Sequence, residues 1–246
     1  MHLQPVILSV DTATPGGSVC LTHGNSLLST RVGDPAVSHS NSLLKDINEC
    51  LDQAGFSLKD VNLFATASGP GSFTGLRIGL ATMKALAATL RSPCVGIPTL
   101  YAVAHAAGPA TSTVALLPAG RGEVFVQMLS VSRDGSVSAL DEPAHLSPHK
   151  TLEKYGALKD LKWAGPGADA YRALLESYAR EKGIDFNDNG PTETESKGWA
   201  LAAAQENLSQ HVAALARQKY ESNEVSDSLS LSAIYVRPSD AELKCP

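Results

Sequence analysis

The chain has 246 residues, of which 43% are hydrophobic and 18% are charged, and its formal net charge is −5. This length is enough for one large domain or two compact lobes. A charged share below the usual value of about 25% leaves room for a surface that another protein covers. The negative net charge excludes a strong global field that would attract nucleic acid, so any RNA role is local or depends on a partner.

The four cysteines, Cys20, Cys50, Cys94 and Cys245, are widely spaced and form no CxxC pair. This pattern predicts a reducing compartment and no structural zinc. The N-terminal residues lack the basic region of a signal peptide, and no run approaches the ~18 apolar residues of a membrane helix. We therefore expect a cytoplasmic protein without membrane contact.

The first half of the chain alternates predicted strands and helices. The predicted strands are residues 6–10, 18–22, 27–32, 61–67 and 94–97. Gly24-Asn25 indicates a hairpin between the second and third strands. The predicted helices run from Ser38 or Ser40 to Gly55, from 73 to 91, and from 98 to about 107. This order predicts a mixed sheet with helices packed on it.

The second half is less regular. The predicted strands are residues 113–118, 123–131, 161–164 and 230–238, and the predicted helices begin at Ser147-Pro148 and cover 168–182 and 199–218. Residues 185–198 are polar and predict a mobile loop. A strand, a Gly-Pro-Gly turn and a helix follow one another twice, at 63–91 and 161–182. The repeat arises by chance or indicates two related lobes, and we favour the second interpretation.

The strongest local motif is the glycine-rich turn Gly-Pro-Gly-Ser at residues 69–72. Glycines at a strand-to-helix turn let backbone N–H groups approach an anion, which would make Gly69, Gly71 and Ser72 nucleotide- or anion-binding residues. The turn is not a P-loop, because no Gly-Lys-Ser/Thr follows, and the alternative is a tight turn whose glycines serve packing. Asp11 and Thr12, after the first strand, fit a metal or phosphate-bound water as well as ordinary turn chemistry.

The helix after this turn is apolar or small nearly all round. Its charges, Arg77, Lys84 and Arg91, lie seven residues apart along one line. A helix that only lies on a sheet has a wide polar face, so this helix is expected to be covered on two sides. Gly75 and Gly79, one turn apart, would allow another helix to approach closely. The cover is either the chain's own domain or a partner, and we favour a partner interface.

The histidines do not predict a metal site. His145 and His149 are four residues apart, but Pro148 places the helix start between them, so the two side chains cannot share a helical face. The chain contains no HExxH, no GxSxG and no defensible cysteine–histidine pair. We therefore predict no catalytic residue and no metal ligand.

The run GPGSFTGLRIGLATMKALA, preceded by SVDTAT and SHSNSLL, resembles the TsaB (YeaZ) family, the accessory subunits of the bacterial machinery that makes threonylcarbamoyladenosine in tRNA. The resemblance continues through residues 122–125 and 164–168 and ends at 235–238. It implies the α/β actin/sugar-kinase/Hsp70-like (ASKHA) fold, which has two lobes of mixed sheets flanked by helices. We accordingly expect an N-terminal lobe at 1–107 and a smaller C-terminal lobe at 108–246.

The resemblance also implies partners. In the family, the two helices of the first lobe form a four-helix bundle with the catalytic subunit TsaD, a TsaE-type ATPase is the third component, and tRNA is reached through the complex. ATP and a metal then belong to the partners, and this chain binds no cofactor alone. The residues expected at the partner contact, or at a homodimer contact when the partner is absent, are His39, Leu43, Leu44, Ile47, Leu51, Thr74, Gly75, Leu76, Gly79, Leu80 and Met83.

Two departures from the family patterns bear on function. TsaD carries a metal-binding HxxxH, and the corresponding positions here are Thr99 and Val103, which cannot ligate a metal as imidazole does, while His105 is out of register. Family members usually have Asp-Ala-Arg before the Gly-Glu-Val segment, whereas this chain has Pro118-Ala119-Gly120. The leading hypothesis is a non-catalytic subunit that activates TsaD. The alternatives are an ATP-dependent small-molecule kinase or ATPase of the same fold and, secondly, a peptidase.

Overall fold

The computed structural model describes residues 4–188, 197–203, 205–225 and 230–236. The chain divides into two compact units. The first unit comprises Met1–Ala102 and Glu206–Ile234, and the second comprises Val103–Gln205 and Tyr235–Pro246.

The first unit is built on a five-stranded mixed sheet. Its strands are β1 (Val6–Asp11), β2 (Ser18–His23), β3 (Ser26–Val32), β4 (Leu63–Gly69) and β5 (Cys94–Pro98). They lie in the order β3-β2-β1-β4-β5, with an antiparallel hairpin on one side of β1 and parallel neighbours on the other. Every residue of β1 is buried, which is typical of a central strand covered on both faces.

Three helices pack on this sheet: α1 (His39–Ala54), α2 (Phe73–Leu90) and, from the C-terminal part of the chain, α7 (Leu208–Glu221). A short 3₁₀ turn lies at Leu58–Asp60, and α3 (Thr99–Ala106) begins in the first unit and ends in the second. The predicted bounds of the first two are confirmed within a residue or two. Gly55 ends α1 in the left-handed conformation with φ of 71°, and the Ser72 hydroxyl caps α2 by accepting from the Gly75 N–H at 3.2 Å.

The second unit contains a seven-stranded sheet. Its strands are β6 (Ala110–Gly120), β7 (Glu123–Val131), β8 (Val137–Ala139), β9 (Ala144–Leu146), β10 (Leu161–Ala164), β11 (Phe186–Asp188) and β12 (Trp199–Leu201). The main path is β11-β12-β10-β6-β7-β8, and β9 also pairs with β7. The helices are α4 (Pro148–Tyr155), α5 (Pro166–Ala170) and α6 (Arg172–Lys182).

The two sheets repeat one topology. In each, the first two strands form an antiparallel hairpin, and the strands on the other side run parallel to the first, as in β1 with β4 and β6 with β10. The hairpin edge is extended by β3 in the first sheet and by β8 in the second. The parallel edge is extended by β5 in the first sheet, and by β12 and then β11 in the second. The predicted fold class, α/β with two lobes of related topology and mixed sheets flanked by helices, is confirmed.

Three predicted elements in the second half are corrected. The predicted helix 199–218 is helical only from Leu208, where α7 begins. Its first three residues form strand β12 instead, because Trp199, Ala200 and Leu201 are buried and pair with β10. The predicted helix 168–182 is two helices that meet at Tyr171. The described part of the predicted strand 230–238, residues 230–236, contains no strand, and residues 237–238 lie outside the described residues.

The predicted lobe boundary at residue 107 also differs from the observed division. Helix α7 packs on β1, β2 and β4, where its side chains Val212 and Ala216 are fully buried. The Ser209 carbonyl accepts a hydrogen bond from the Ser9 hydroxyl at 2.8 Å, and the Ser209 N–H donates to the Ser18 hydroxyl at 3.0 Å. These contacts place residues 206–234 in the first unit, although the predicted C-terminal lobe of 108–246 included them.

Candidate functional site

The Gly-Pro-Gly turn between β4 and α2 is hydrogen-bonded to its own unit. The Gly69 N–H donates to the Thr99 hydroxyl at 3.0 Å, and the Ser72 N–H donates to the Ala13 carbonyl at 2.8 Å. Gly69-Pro70 is a cis peptide bond. The backbone groups of Gly69 and Ser72, which were predicted to approach an anion, are therefore bonded within the chain.

The glycines of this region make room for the turn after β1. A Cβ on Gly71 would lie 2.6 Å from the Ala13 carbonyl oxygen, and one on Gly75 would lie 1.9 Å from the Thr12 carbonyl oxygen. A Cβ on Gly79 would lie 2.2 Å from the Thr12 hydroxyl. The packing alternative thus accounts for these glycines, and anion binding by Gly69, Gly71 and Ser72 stays a prediction.

The Asp11 carboxylate is hydrogen-bonded within the turn that follows β1. Its carboxylate accepts a hydrogen bond from the Ala13 N–H at 2.8 Å, and the Thr14 hydroxyl donates to the other oxygen. Burial raises the pKa of this carboxyl above its ordinary value, against the opposite effects of the Thr14 and Ala13 hydrogen bonds. This geometry supports the turn alternative for Asp11-Thr12.

Most of the residues predicted at a partner contact lie in the core of the first unit. Leu43, Ile47, Leu51, Gly75, Leu76, Gly79, Leu80 and Met83 are buried. In the free chain these residues are packed inside the unit rather than on its surface, and their place at a partner contact stays a prediction. Any side chain at Gly79 would displace the Thr12 hydroxyl, so a substitution at this position disturbs the fold.

Five of the exposed residues of α1 and α2, all apolar or uncharged, define a different surface, which we call the outer helix face. It consists of Leu44 on α1 and Thr74, Ala81, Ala85 and Ala88 on α2. Leu44 is 62% exposed, the highest value among the exposed large hydrophobic residues of the described chain. The α2 members recur at intervals of three, four and seven residues, so they share one side of the helix. Of the predicted contact residues, only Leu44 and Thr74 belong to this surface.

His39 links the start of α1 to the turn after β1. Its Nε2 lies 3.2 Å from the Thr14 carbonyl oxygen, and a Cβ on Gly75 would lie 3.2 Å from the His39 Cδ2. The ring is half-buried. His39 therefore joins elements of its own unit, and its contact with a partner stays a prediction.

The positions that correspond to the HxxxH of TsaD have structural contacts. The Thr99 hydroxyl accepts from the Gly69 N–H, Val103 is buried, and burial lowers the pKa of His105. His145 lies on β9 and His149 on α4, so the prediction that they do not share a helical face is confirmed. Within the described ranges, no group of three His, Cys, Asp or Glu residues is arranged to hold a metal ion.

The hairpin that replaces the Asp-Ala-Arg pattern is a tight turn between β6 and β7. Gly120, Arg121 and Gly122 all have positive φ, at 76°, 52° and 76°. Pro118 pairs with Val124 in the ladder next to it. Two glycines suit this conformation, since only a residue without Cβ adopts it freely.

None of the helices in the part of the chain that the structure describes is long and apolar enough to span a membrane.

The chain is similar to known proteins over most of its length. The family model TsaD, described as tRNA N6-adenosine threonylcarbamoyltransferase, matches residues 35–226. The tRNA threonylcarbamoyladenosine biosynthesis protein TsaB of Escherichia coli (strain K12) is 31% identical over 187 residues, covering 74% of this chain and 78% of that protein. The TsaB protein of Haemophilus influenzae is 34% identical over 123 residues, covering 48% of this chain and 51% of that protein.

Two solved structures share the fold. YeaZ from Pseudomonas aeruginosa superposes with a TM-score of 0.73 at 24% identity, covering 94% of this chain and 99% of that one. A second structure, described as an uncharacterized protein with similarity to the peptidase YeaZ from Pseudomonas aeruginosa, gives a TM-score of 0.75 at 25% identity and covers 95% of this chain and 100% of that one.

Proposed function

The chain belongs to the TsaB (YeaZ) family of tRNA threonylcarbamoyladenosine biosynthesis proteins, and from this membership we propose that it is a non-catalytic subunit that binds and activates a TsaD-type transferase. The transferase moves a threonylcarbamoyl group from its adenylate to N6 of the adenine next to the anticodon. In this proposal the chain supplies no acid, base or metal ligand. ATP and a metal are bound by the partners, among them a TsaE-type ATPase, and tRNA is bound through the complex.

The outer helix face is the observation that carries this proposal. Leu44 presents a large apolar side chain to solvent, and transferring such a side chain into an interface contributes about 1.5–3 kcal/mol. Ala81, Ala85 and Ala88 have small side chains, so a partner helix can approach the backbone of α2 closely. This surface fits the two helices that TsaD would contribute to a four-helix bundle.

Activation follows from how this surface is held. The buried sides of α1 and α2 are fixed in the core by residues such as Ile47 and Met83, so little ordering of these helices is required on binding. A preformed face that fits one conformation of the transferase better than another increases the population of that conformation. The chain thus raises the transferase rate by ordering its partner.

The same surface predicts self-association when the transferase is absent. An exposed apolar residue beside a row of small side chains can pack against its own copy across a two-fold axis. We therefore expect the free chain to form a homodimer, which the transferase replaces. Both assemblies use the outer helix face, so they exclude each other.

A substitution at Leu44 tests the proposal. Leu44→Arg places a charge on the α1 side of the face, where the complex would bury it without an opposite charge, and is expected to weaken transferase binding by about 100-fold or more. Leu140→Arg, at a 46% exposed leucine of the second unit, is the matched control and should bind as the wild type does. Binding is measured by calorimetry with the transferase of the same organism, and the homodimer by sedimentation.

Circular dichroism of the free variants separates binding from folding. Leu44→Arg should keep the wild-type spectrum and lose both the homodimer and the transferase complex. If Leu44→Arg bound the transferase with wild-type affinity, the outer helix face would not be the contact.

A further inference from the structure

Residues 230–234, which we call the C-terminal strap, pack on the first unit beside the Gly-Pro-Gly turn. The Ile234 N–H donates to the Ser68 carbonyl at 2.7 Å, at the end of β4. The Lys84 ammonium of α2 donates to the Leu231 carbonyl at 3.0 Å. Leu231 is only 8% exposed. The strap therefore has an apolar anchor and hydrogen bonds to two separate elements.

Two glycines make room for the strap. A Cβ on Gly69 would lie 2.4 Å from the Ile234 carbonyl oxygen, and a Cβ on Gly96 would lie 2.9 Å from a methyl carbon of Leu231. Gly69 also has a φ of 112°, which side chains rarely allow. The first glycine of the Gly-Pro-Gly motif is thus explained by the strap, whereas Gly71 is explained by the turn after β1.

The strap and the turn after β1 hold opposite edges of α2. Gly75 and Lys84 are nine residues apart, and at about 100° per residue they lie on opposite sides of the helix. The Gly75 edge contacts Thr12 and His39, and the Lys84 edge binds the strap. The outer helix face lies between the two edges, at Thr74, Ala81 and Ala85.

We propose that the C-terminal strap positions α2 and the Gly-Pro-Gly turn for partner binding, so that the affinity of the outer helix face depends on the strap being docked. The inference rests on the proposed function. If the strap undocks, Lys84 of α2 loses its hydrogen bond to the Leu231 carbonyl, and the Ser68 carbonyl beside the turn loses its bond from the Ile234 N–H. The conformation that binds the partner is then less populated. The apparent affinity for the transferase falls in proportion to the population of this conformation.

Leu231→Asp in the full chain tests the strap. A carboxylate in place of this buried leucine should release the strap and leave the sheet intact. Hydrogen exchange of the free protein is expected to become about tenfold faster at residues 68–80, while β1 and β6 keep wild-type exchange. The dissociation constant for the transferase should rise about tenfold. Leu140→Asp, an exposed leucine of the second unit, is the matched control and should change neither quantity.

Lys84→Met provides a second, milder variant that removes the bond to the Leu231 carbonyl and retains the aliphatic stem. We expect exchange at residues 68–80 to become about threefold faster and transferase affinity to fall about threefold. If Leu231→Asp does not fold, Lys84→Met still tests whether the docked strap affects transferase affinity.

The outcomes separate the strap from the proposed function. Fast exchange at 230–234 with unchanged exchange at 68–80, or with wild-type transferase affinity, overturns the positioning role and leaves the proposed function standing. If the wild-type chain does not bind the transferase, the proposed function fails and with it the strap's role in partner binding, whatever the exchange rates.

Discussion

The carboxyl group of Asp11 ends the central strand of the first unit and is buried under the turn that follows it. Desolvation raises its pKa above the ordinary value of 3.8. A raised pKa means that the folded chain binds this proton more tightly than the unfolded chain does. The protonated carboxyl is therefore compatible with folding, whereas the ionised carboxylate destabilises the folded state. Its contribution is therefore present below about pH 3.8 and is lost as the pH rises through the raised pKa.

Asp11→Asn removes this titration and keeps an oxygen that can accept from the Ala13 N–H. We expect the stability of the variant relative to the wild type to increase between pH 4 and pH 7, because only the wild type must bury an ionised carboxylate at the higher pH. Urea midpoints at both pH values measure the difference, and Asp52→Asn, at an exposed position of α1, controls for net charge. A wild type that gained stability over Asp11→Asn with rising pH would show that a cation stabilises the carboxylate.

Helices α1 and α2 show which properties of an element the sequence can predict. In α1, the bounds could be predicted, and the apolar residues Leu43, Ile47, Cys50 and Leu51, which helical spacing places on one side, are all buried. In α2, the bounds could be predicted, but the orientation could not, since apolar residues on all sides leave no polar face to point outwards. The turn at Thr12 decides the orientation, and its contact with Gly79 comes from a distant part of the sequence.

The strand at Trp199 illustrates a second limit at the scale of elements. A short buried apolar run fits a helix or a buried strand equally well, and only its parallel partner β10 decides between them. Trp199 stacks with Tyr178 of α6 and meets Trp163 of β10 edge-on, with ring centroids 5.8 Å and 4.9 Å apart. The prediction of a helix is therefore wrong before Leu208, and at residues 199–201 it is wrong because long-range packing outweighed local periodicity.

Helix α7 belongs to the first unit in this account, and Leu215→Ala tests that assignment. Truncating this buried side chain should lower the free energy of unfolding by about 2–5 kcal/mol. Hydrogen exchange should become faster in β1, β2 and β4 and stay unchanged in β6 and β7. Gln210→Ala, at an exposed position of the same helix, should have little effect on either region. Faster exchange confined to β6 and β7 would place α7 in the second unit, as the predicted boundary did.

At the scale of the whole molecule, the repeated Gly-Pro-Gly units predicted two lobes of related topology, and the matching strand orders of the two sheets confirm it. The assignment of residues 206–234 to the first unit could not be predicted, because the sequence of α7 alone does not indicate which sheet the helix packs on. For the site, the sequence located α1 and α2 as the elements of interest. It assigned their buried side chains to the partner contact, whereas the exposed ones, such as Leu44 and Ala85, form the proposed face.

A reconstituted modification reaction tests whether this chain activates the transferase. Unmodified tRNA, the transferase, the TsaE-type ATPase, ATP and threonylcarbamoyl adenylate are combined with and without this chain, and threonylcarbamoyladenosine is quantified after nuclease digestion. We expect the wild-type chain and Leu140→Arg to support modification, and omission of the chain or its replacement by Leu44→Arg to reduce the rate at least about tenfold. A transferase that reaches the same rate without the chain would show that the chain is not its activator.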